Sequence, residues 1–383
     1  MRRHLVPICL AFALQPTSVS AQETAPQIED EADKPSIEIS GFVRARYVSI
    51  LEGADGPDFV GENDGFGLEN ARLVADIKKR AMFARISIDG AVDRREANNT
   101  AVGQVDVGLR DAWIGYETEA GFGLLVGQFK PPFDAEELQS TADMIFIDRA
   151  VESRGVRGVE GFNTNGLSLQ RQAGIQTYGR YQFDDAWRIE YALSVTNGSG
   201  ANRPLNDNES LAYIGRVSLH QGPYLTLGGG AYHNRVTNGV PPDLLSEDEF
   251  GWVVDLKYQR PIGPVRILLS GQYMSQSTDS IDVPDEPTIT ARGYHGAAGV
   301  ALPMGLILAY RYAYLDPTAE FESEDPAATA VLDNDAVTLH TAALSYGFKD
   351  IPVQLQMNYT LLAEQDGRTI DNDRLDLLVQ AIF

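Results

Sequence analysis

The sequence predicts an all-β protein, a 16-stranded antiparallel transmembrane β-barrel over residues 36–383 with a long third loop folded into the lumen. Three observations predict it. Apolar and polar residues alternate with period two from Ser36 onward. Long and short connections alternate along the chain. The first residues read as an export leader, and the last residue is aromatic.

The leader comes first. Met1-Arg2-Arg3-His4 is a basic n-region, Leu5 to Leu14 a short apolar h-region, and Val19-Ser20-Ala21 offers small residues at a cleavage site. Residues 1–21 therefore read as a signal peptide. Ten apolar-biased residues are too few to cross a bilayer as a helix, and no other run approaches the roughly 20 residues a spanning helix needs. Cleavage after Ala21 removes Cys9, the only cysteine, so disulfide and thiol chemistry are excluded from the exported chain. It also removes Arg2 and Arg3, taking the formal net charge from -23 to -25. Such a charge disfavours nucleic acid as a partner. Residues 22–35, QETAPQIEDEADKP, are acidic, contain proline and lack periodicity, so they read as a disordered lead-in.

The alternation then begins. In SIEISGFVRARYV, Ile37, Ile39, Val43, Ala45 and Tyr47 share one face and Glu38, Ser40, Arg44 and Arg46 the other, with Phe42 as the exception. WRIEYALSVT sets Trp187, Ile189, Tyr191, Leu193 and Val195 against Arg188, Glu190, Ser194 and Thr196. VQLQMNYTL sets Val353, Leu355, Met357, Tyr359 and Leu361 against Gln354, Gln356, Asn358 and Thr360. Strands are expected near 36–49, 68–77, 82–93, 104–117, 122–130, 171–183, 187–197, 210–220, 224–235, 250–260, 264–274, 291–302, 305–315, 335–348, 351–363 and 373–383. Long connections at 51–67, 94–103, 131–170, 198–209, 236–249, 275–290, 316–334 and 364–372 alternate with tight ones such as Asp184-Asp185-Ala186, Gln221-Gly222-Pro223, Pro261-Ile262-Gly263 and Pro303-Met304. A soluble sandwich has no reason to keep every second turn short. A transmembrane barrel does, because its turns on one side are short, its loops on the other long, and closure pairs every backbone group in lipid. With an even strand count both termini lie on the periplasmic side.

The closing strand, RLDLLVQAIF, places Leu375, Leu377, Val379, Ala381 and Phe383 on one face and resembles the C-terminal signal of bacterial outer-membrane barrels. Trp187, Trp252, Tyr258, Tyr310, Tyr312, Tyr314, Tyr346 and Phe348 fall at or near strand ends, where amphipathic rings suit the membrane interfaces. Lipid and lipopolysaccharide are the partners such an outer surface implies.

Residues 131–170 contain no comparably clean strand, and DAEELQSTADMIFIDRA has a helical look. A structureless stretch of this length is unusual in a compact domain. A barrel of sixteen strands encloses an aqueous lumen. Folded inward, the segment would cover Met144, Ile145 and Phe146 against the wall and narrow the pore.

GQFKPPFDAEELQSTADMIFIDRAV at 127–151, preceded by RDAWIGYE at 110–117, resembles the phosphate-selective porin O and P family, over the barrel from about residue 36 to Phe383. The resemblance implies a sixteen-stranded outer-membrane channel whose third loop enters the lumen, assembled as a homotrimer. It also implies an anion site built from a lysine, a pair of hydroxyl residues and an arginine of that loop. By motif position Ser140 and Thr141 match the hydroxyl pair and Arg149 the arginine, while Glu137 stands where the lysine would be. With Lys130, these are the expected constriction residues.

Arg44, Arg46, Arg72, Arg85, Arg180, Arg188, Arg216, Lys257, Arg266 and Arg311 fall on the polar phase of their strands. Stacked guanidiniums could pass an anion from site to site. Alternatively they pair with Glu38, Asp76, Asp89, Glu190 and Asp255 across the wall and hold its shape.

No HExxH, CxxC, Walker or GxSxG motif occurs, and His220, His233, His295 and His340 have no metal-ligand spacing, so no catalytic residues, metal or cofactor are assigned. Asp333-Asn334-Asp335 and Asp371-Asn372-Asp373 read as solvated turns in preference to calcium ligands. Gly228-Gly229-Gly230 lies inside a strand and suits a bend or a close subunit contact. The expected function is passive diffusion of small hydrophilic solutes and ions, with a phosphate or polyphosphate channel and a barrel hydrolase as the alternatives.

Overall fold

A computed structural model of the chain describes residues 34–51, 64–93, 105–157, 160, 164–199, 205–206, 208–240, 243–282, 288–321, 336–364 and 372–383. The leader, most of the acidic lead-in and Asp333-Asn334-Asp335 lie outside these residues.

The strands of the first third are β1 (Ser36–Leu51), β2 (Gly65–Lys79), β3 (Met82–Asp93), β4 (Val105–Glu117) and β5 (Gly123–Phe129). Segment 131–170 carries the short helices α1 (Ala135–Leu138) and α2 (Val151–Arg154), a 3-10 turn at Thr141–Asp143, and a ribbon of β6 (Gly155–Val156) and β7 (Thr164–Asn165). The wall resumes with β8 (Gln172–Gln182), β9 (Trp187–Thr196), β10 (Ala212–Gln221), β11 (Leu225–Val240), β12 (Asp243–Ile262) and β13 (Val265–Ser280). It ends with β14 (Ile289–Ala301), β15 (Leu306–Phe321), β16 (Val337–Gly347), β17 (Val353–Glu364) and β18 (Asp373–Ile382).

All wall strands pair antiparallel with their neighbours, β5 pairs β8 across the insert, and β1 pairs β18 from Phe42↔Ile382 to Leu51↔Asp373, which closes the barrel. Closure leaves no edge strand, so each wall strand has a hydrogen-bonded neighbour on both sides. The seam is tied by Gly41 and Phe383, whose backbone amides each donate to the other's carbonyl at 2.8 and 3.0 Å.

The period-two pattern sorts as anticipated. Ile37 and Ile39 are 62% and 66% exposed on the outside, whereas Arg44 and Arg46, on the other phase, are 2% and 3% exposed. Phe42 also faces inward, where the Arg72 guanidinium stands 5.3 Å from its ring. A bulge between Arg44 and Ala45 inserts Glu69 as an extra residue of β2, and a second between Ser87 and Ile88 inserts Arg110 into β4. Both extra side chains reach toward the wall's charged face, Glu69 to Arg46 and Arg110 to Asp89.

The expected boundaries need correction at the loop ends. Residues 236–249, read as a loop, are mostly strand, with β11 and β12 in unbroken register out to Val240↔Asp243. The strands β13 and β15 likewise continue to Ser280 and Phe321. Beyond the membrane a hairpin still pairs its backbone but needs no apolar face, so SEDE at 246–249 carries no period-two signal. Gly228 and Gly230 lie inside β11, beside a wall ion pair and the backbone of segment 131–170. Side chains there would collide with the Arg216–Asp255 ion pair and approach the Phe133 carbonyl, so the glycines leave room for both.

Candidate pore constriction

Pro131 and Pro132 end β5, because neither can donate an amide to the ladder. Asp134 then caps α1, its Oδ1 accepting from the Glu136 amide at 2.8 Å while Ser168 donates to its other oxygen. Ser140 caps the 3-10 turn by accepting from the Ala142 amide. The helical look of 134–143 thus resolves into two capped single turns.

The apolar side of the segment packs on inward-facing apolar residues. Phe133, Ala150, Val151, Val156 and Leu167 are buried in one cluster with Ile214, Tyr232, Val253, Met274, Leu315 and Leu339. Phe133 meets Tyr232 edge-to-face at 4.9 Å. Met144 and Phe146 are buried as anticipated, and the Arg311 guanidinium lies 4.4 Å from the Phe146 ring. Ile145 is only partly covered.

The backbone of the segment is met by the wall as well. Arg44 donates to the Ile147 carbonyl at 3.0 Å, Gln356 to Met144 at 2.8 Å, Gln380 to Ala142 at 2.9 Å and Arg216 to Phe133 at 2.7 Å. These donors satisfy carbonyls that irregular backbone would otherwise bury unpaired.

Its carboxylates are matched in turn. Asp148 contacts Arg157 at 2.7 Å, Arg46 at 3.0 Å and Arg374 at 3.2 Å. Glu160 contacts Arg154 at 2.6 Å and Arg374 at 3.3 Å. Arg46 and Arg374 also share Asp376, at 2.7 and 3.0 Å. Burial pushes the Glu160 carboxyl up, but Arg154 and Arg374 outweigh it and hold it at about 2. Asp148 sits well below the usual carboxylate range for the same balance of causes. Both remain ionised across the physiological range. Glu136 meets Arg311 at 3.3 Å, and Glu152 meets His295 at 2.5 Å.

Lys130, Glu137 and Arg149 come together: Glu137 lies 3.0 Å from Arg149 and 3.6 Å from Lys130. Both cations also donate to backbone carbonyls of the α1 turn, including Gln139 at 3.2 and 3.0 Å. Ser140 is exposed and Thr141 half-buried beside this cluster. Burial pushes the Lys130 ammonium down to about 7, against the opposing pull of Glu137.

Of the ten basic wall residues, Arg44, Arg46, Arg216 and Arg311 touch the segment. Arg72 pairs with Asp89 at 3.0 Å, Arg85 with Asp76 at 2.7 Å, Arg180 with Glu117 at 3.4 Å and Arg188 with Glu190 at 2.8 Å. Arg216 also takes Asp255 at 2.7 Å. The pairing across strands therefore holds for Asp76, Asp89 and Asp255, whereas Arg188 and Glu190 pair within β9. Lys257 and Arg266 make no ion pair among the described residues. A cavity of about 320 Å³ lies between Lys130, Pro132 and Leu138 on one side and Arg180, Glu190, Arg216 and Ser218 on the other. Arg374 and Asp376 were missed although they lie on the polar phase of RLDLLVQAIF. The partnerships of Glu136, Glu152 and His295 have no signal in spacing.

A closed sixteen-stranded barrel, apolar outside and charged within, is a channel-forming protein of the outer membrane. The chain belongs to the phosphate-selective porin O and P family, whose model matches residues 43–246. It is an outer-membrane porin. No curated protein matches the chain. Among solved structures it is similar in fold to the outer-membrane channel DcaP of Acinetobacter baumannii, at 16% identity and TM-score 0.57 over 91% of this chain and 97% of that one. It is similar also to the anion-selective porin of Comamonas acidovorans, at 13% identity and TM-score 0.57 over 91% and 100% of the two chains. OmpT of Vibrio cholerae, described in a trimer form, gives 12% identity and TM-score 0.57 over 92% and 100%.

Proposed function

We infer that residues 131–170 fold inside the barrel as its constriction and that the pore passes small hydrophilic solutes and ions by passive diffusion in a mixed electrostatic field. The observation that carries this reading is the mutual neutralisation of wall and segment. Arg46 and Arg374 neutralise Asp148 and Glu160, Arg311 meets Glu136, and Lys130 and Arg149 bracket Glu137. Cations engaged this way anchor the segment and are not free to dehydrate a passing anion. The carboxylate in the lysine's motif position reads in the same direction.

A phosphate-preferring pore is the second reading, supported by the family and by Lys257 and Arg266, which make no ion pair among the described residues. Reversal potential in a potassium chloride gradient, measured with purified protein in a planar bilayer, separates the two. A permeability ratio within a few-fold of unity, with no phosphate block of chloride current, supports the mixed pore. Strong anion preference with submillimolar phosphate block overturns it.

The trimer form of the Vibrio cholerae protein supports a homotrimer here, and the exposed apolar band supports contact with lipid and lipopolysaccharide. Crosslinking in native membranes tests the trimer. The reading assigns no enzymatic role, and ester turnover by purified protein would contradict it.

A further inference from the structure

Two turns of the segment and one wall strand bring three metal-binding side chains together. Glu136 from α1, Glu152 from α2 and His295 from β14 each present a donor atom, all within 4.8 Å of one another. We propose that these three residues form a divalent transition-metal site, best matched to zinc, which clasps segment 131–170 to the wall. The site depends on these contacts alone, whatever the pore conducts.

The donor set argues for the metal class. Zinc takes imidazole nitrogen and carboxylate oxygen as ligands at about 2.0–2.2 Å, and a site with three protein ligands leaves the fourth position to water. Calcium and magnesium prefer oxygen-only surroundings, so the imidazole discriminates against them. A tetrahedral ion sets its donors about 3.3 Å apart at those bond lengths. To reach that spacing the Glu152 Oε1–His295 Nδ1 contact opens from 2.5 Å as the ion displaces the shared proton, and the remaining donors close from no more than 4.8 Å.

A second observation points to an occupant. Glu152 is 0% exposed, and while its Oε1 meets His295 Nδ1 at 2.5 Å, its Oε2 is buried with no hydrogen-bond partner among the described residues. A carboxylate oxygen in that position loses its hydration without compensation unless a proton or a cation supplies it. Glu136 is held in place by the Ala150 amide, which donates to its Oε2 at 2.9 Å, and by Arg311 at 3.3 Å from its Oε1. Arg311 opposes the metal, but two carboxylates still leave the cluster net negative once the imidazole is neutral. Gly293, two residues before His295 on the same face of β14, admits α2: a Cβ there would collide with the Cβ of Glu152.

The test uses the folded, detergent-purified full-length protein, stripped with chelator and titrated calorimetrically with zinc, and with magnesium as comparator. One zinc per chain and no comparable magnesium uptake are expected, with affinity falling about tenfold or more in His295→Ala and in Glu152→Gln. Cobalt bound to the unaltered protein should show the intense visible bands of a low-coordinate N/O site, which keeps the proposal testable should a variant fail to fold. Absence of stoichiometric zinc uptake by the unaltered protein overturns the proposal and leaves His295 and Glu152 sharing a proton. Uptake unchanged in both variants, or an octahedral cobalt spectrum, also overturns it.

Discussion

Arg46 of β1 and Asp148 of the inserted segment meet at 3.0 Å although 102 residues separate them in sequence. Asp148 sits among three guanidiniums, and removing its charge leaves the buried Arg46 to Asp376 and Glu69, and the buried Arg374 to Asp376 and Glu160. Losing one member of a buried ion cluster costs about 3–5 kcal/mol. Asp148→Ala is therefore expected to lower the temperature at which the folded form converts to the unfolded form on a gel. It should also raise or destabilise single-channel conductance as the segment loosens. Unchanged values of both would show that the ion cluster does not fix the segment.

Glu137 separates two cations. Glu137→Gln leaves Lys130 and Arg149 without their shared carboxylate and should shift the reversal potential toward anions by a few-fold in permeability ratio. Arg149→Ala should shift it toward cations. Insensitivity of the potential to both substitutions would remove this cluster from the conducting path.

Lys130 gives a pH signature. Its ammonium is pushed down to about 7 by burial, so below that pH the folded protein carries a charge that the unfolded chain solvates better. As pH rises from about 7 toward the ordinary value of 10.5, the unfolded chain binds more protons than the folded one and stability increases. The gain is at most about 1.4 kcal/mol per pH unit. Thermal scans should show this rise in the unaltered protein and its loss in Lys130→Met, and parallel curves would contradict the buried cation.

Phe383 closes the barrel seam through its backbone pair with Gly41. Deleting it removes two hydrogen bonds of about 0.5–1.5 kcal/mol each and the terminal aromatic of the closing strand. Expression in cells should then leave protease-sensitive chains in the periplasm. Full protease resistance would show that closure does not need this residue.

Topology is open to labelling. A tag between Phe321 and Ala336 should be reached on intact cells, whereas one after Asp185, in a tight turn at the end shared with both termini, should not. The reverse pattern would invert the barrel in the membrane.

The strand count, the phase that buries Arg44, Arg46 and Arg311, and the long connection at 131–170 were all legible in the sequence. Period two records which face meets lipid, and lipid tolerates no exception without cost, so the membrane writes its constraint directly into SIEISGFVRARYV and VQLQMNYTL. The strand ends at 236–249 and 316–321 were not legible, because a paired hairpin in water imposes no alternation. Nor were the bulges that turn Glu69 and Arg110 inward, since one extra residue shifts the phase without changing composition.

The partners of the segment's charges belong to tertiary structure alone. Spacing predicts that Arg46 and Arg311 face inward, but Asp148 and Glu136 reach them, and Glu152 reaches His295, only after the chain has closed into a barrel and the insert has packed its apolar side on Ile214, Tyr232 and Leu315. Contacts between residues 102 to 175 positions apart depend on three-dimensional closure, and local pattern carries no record of it.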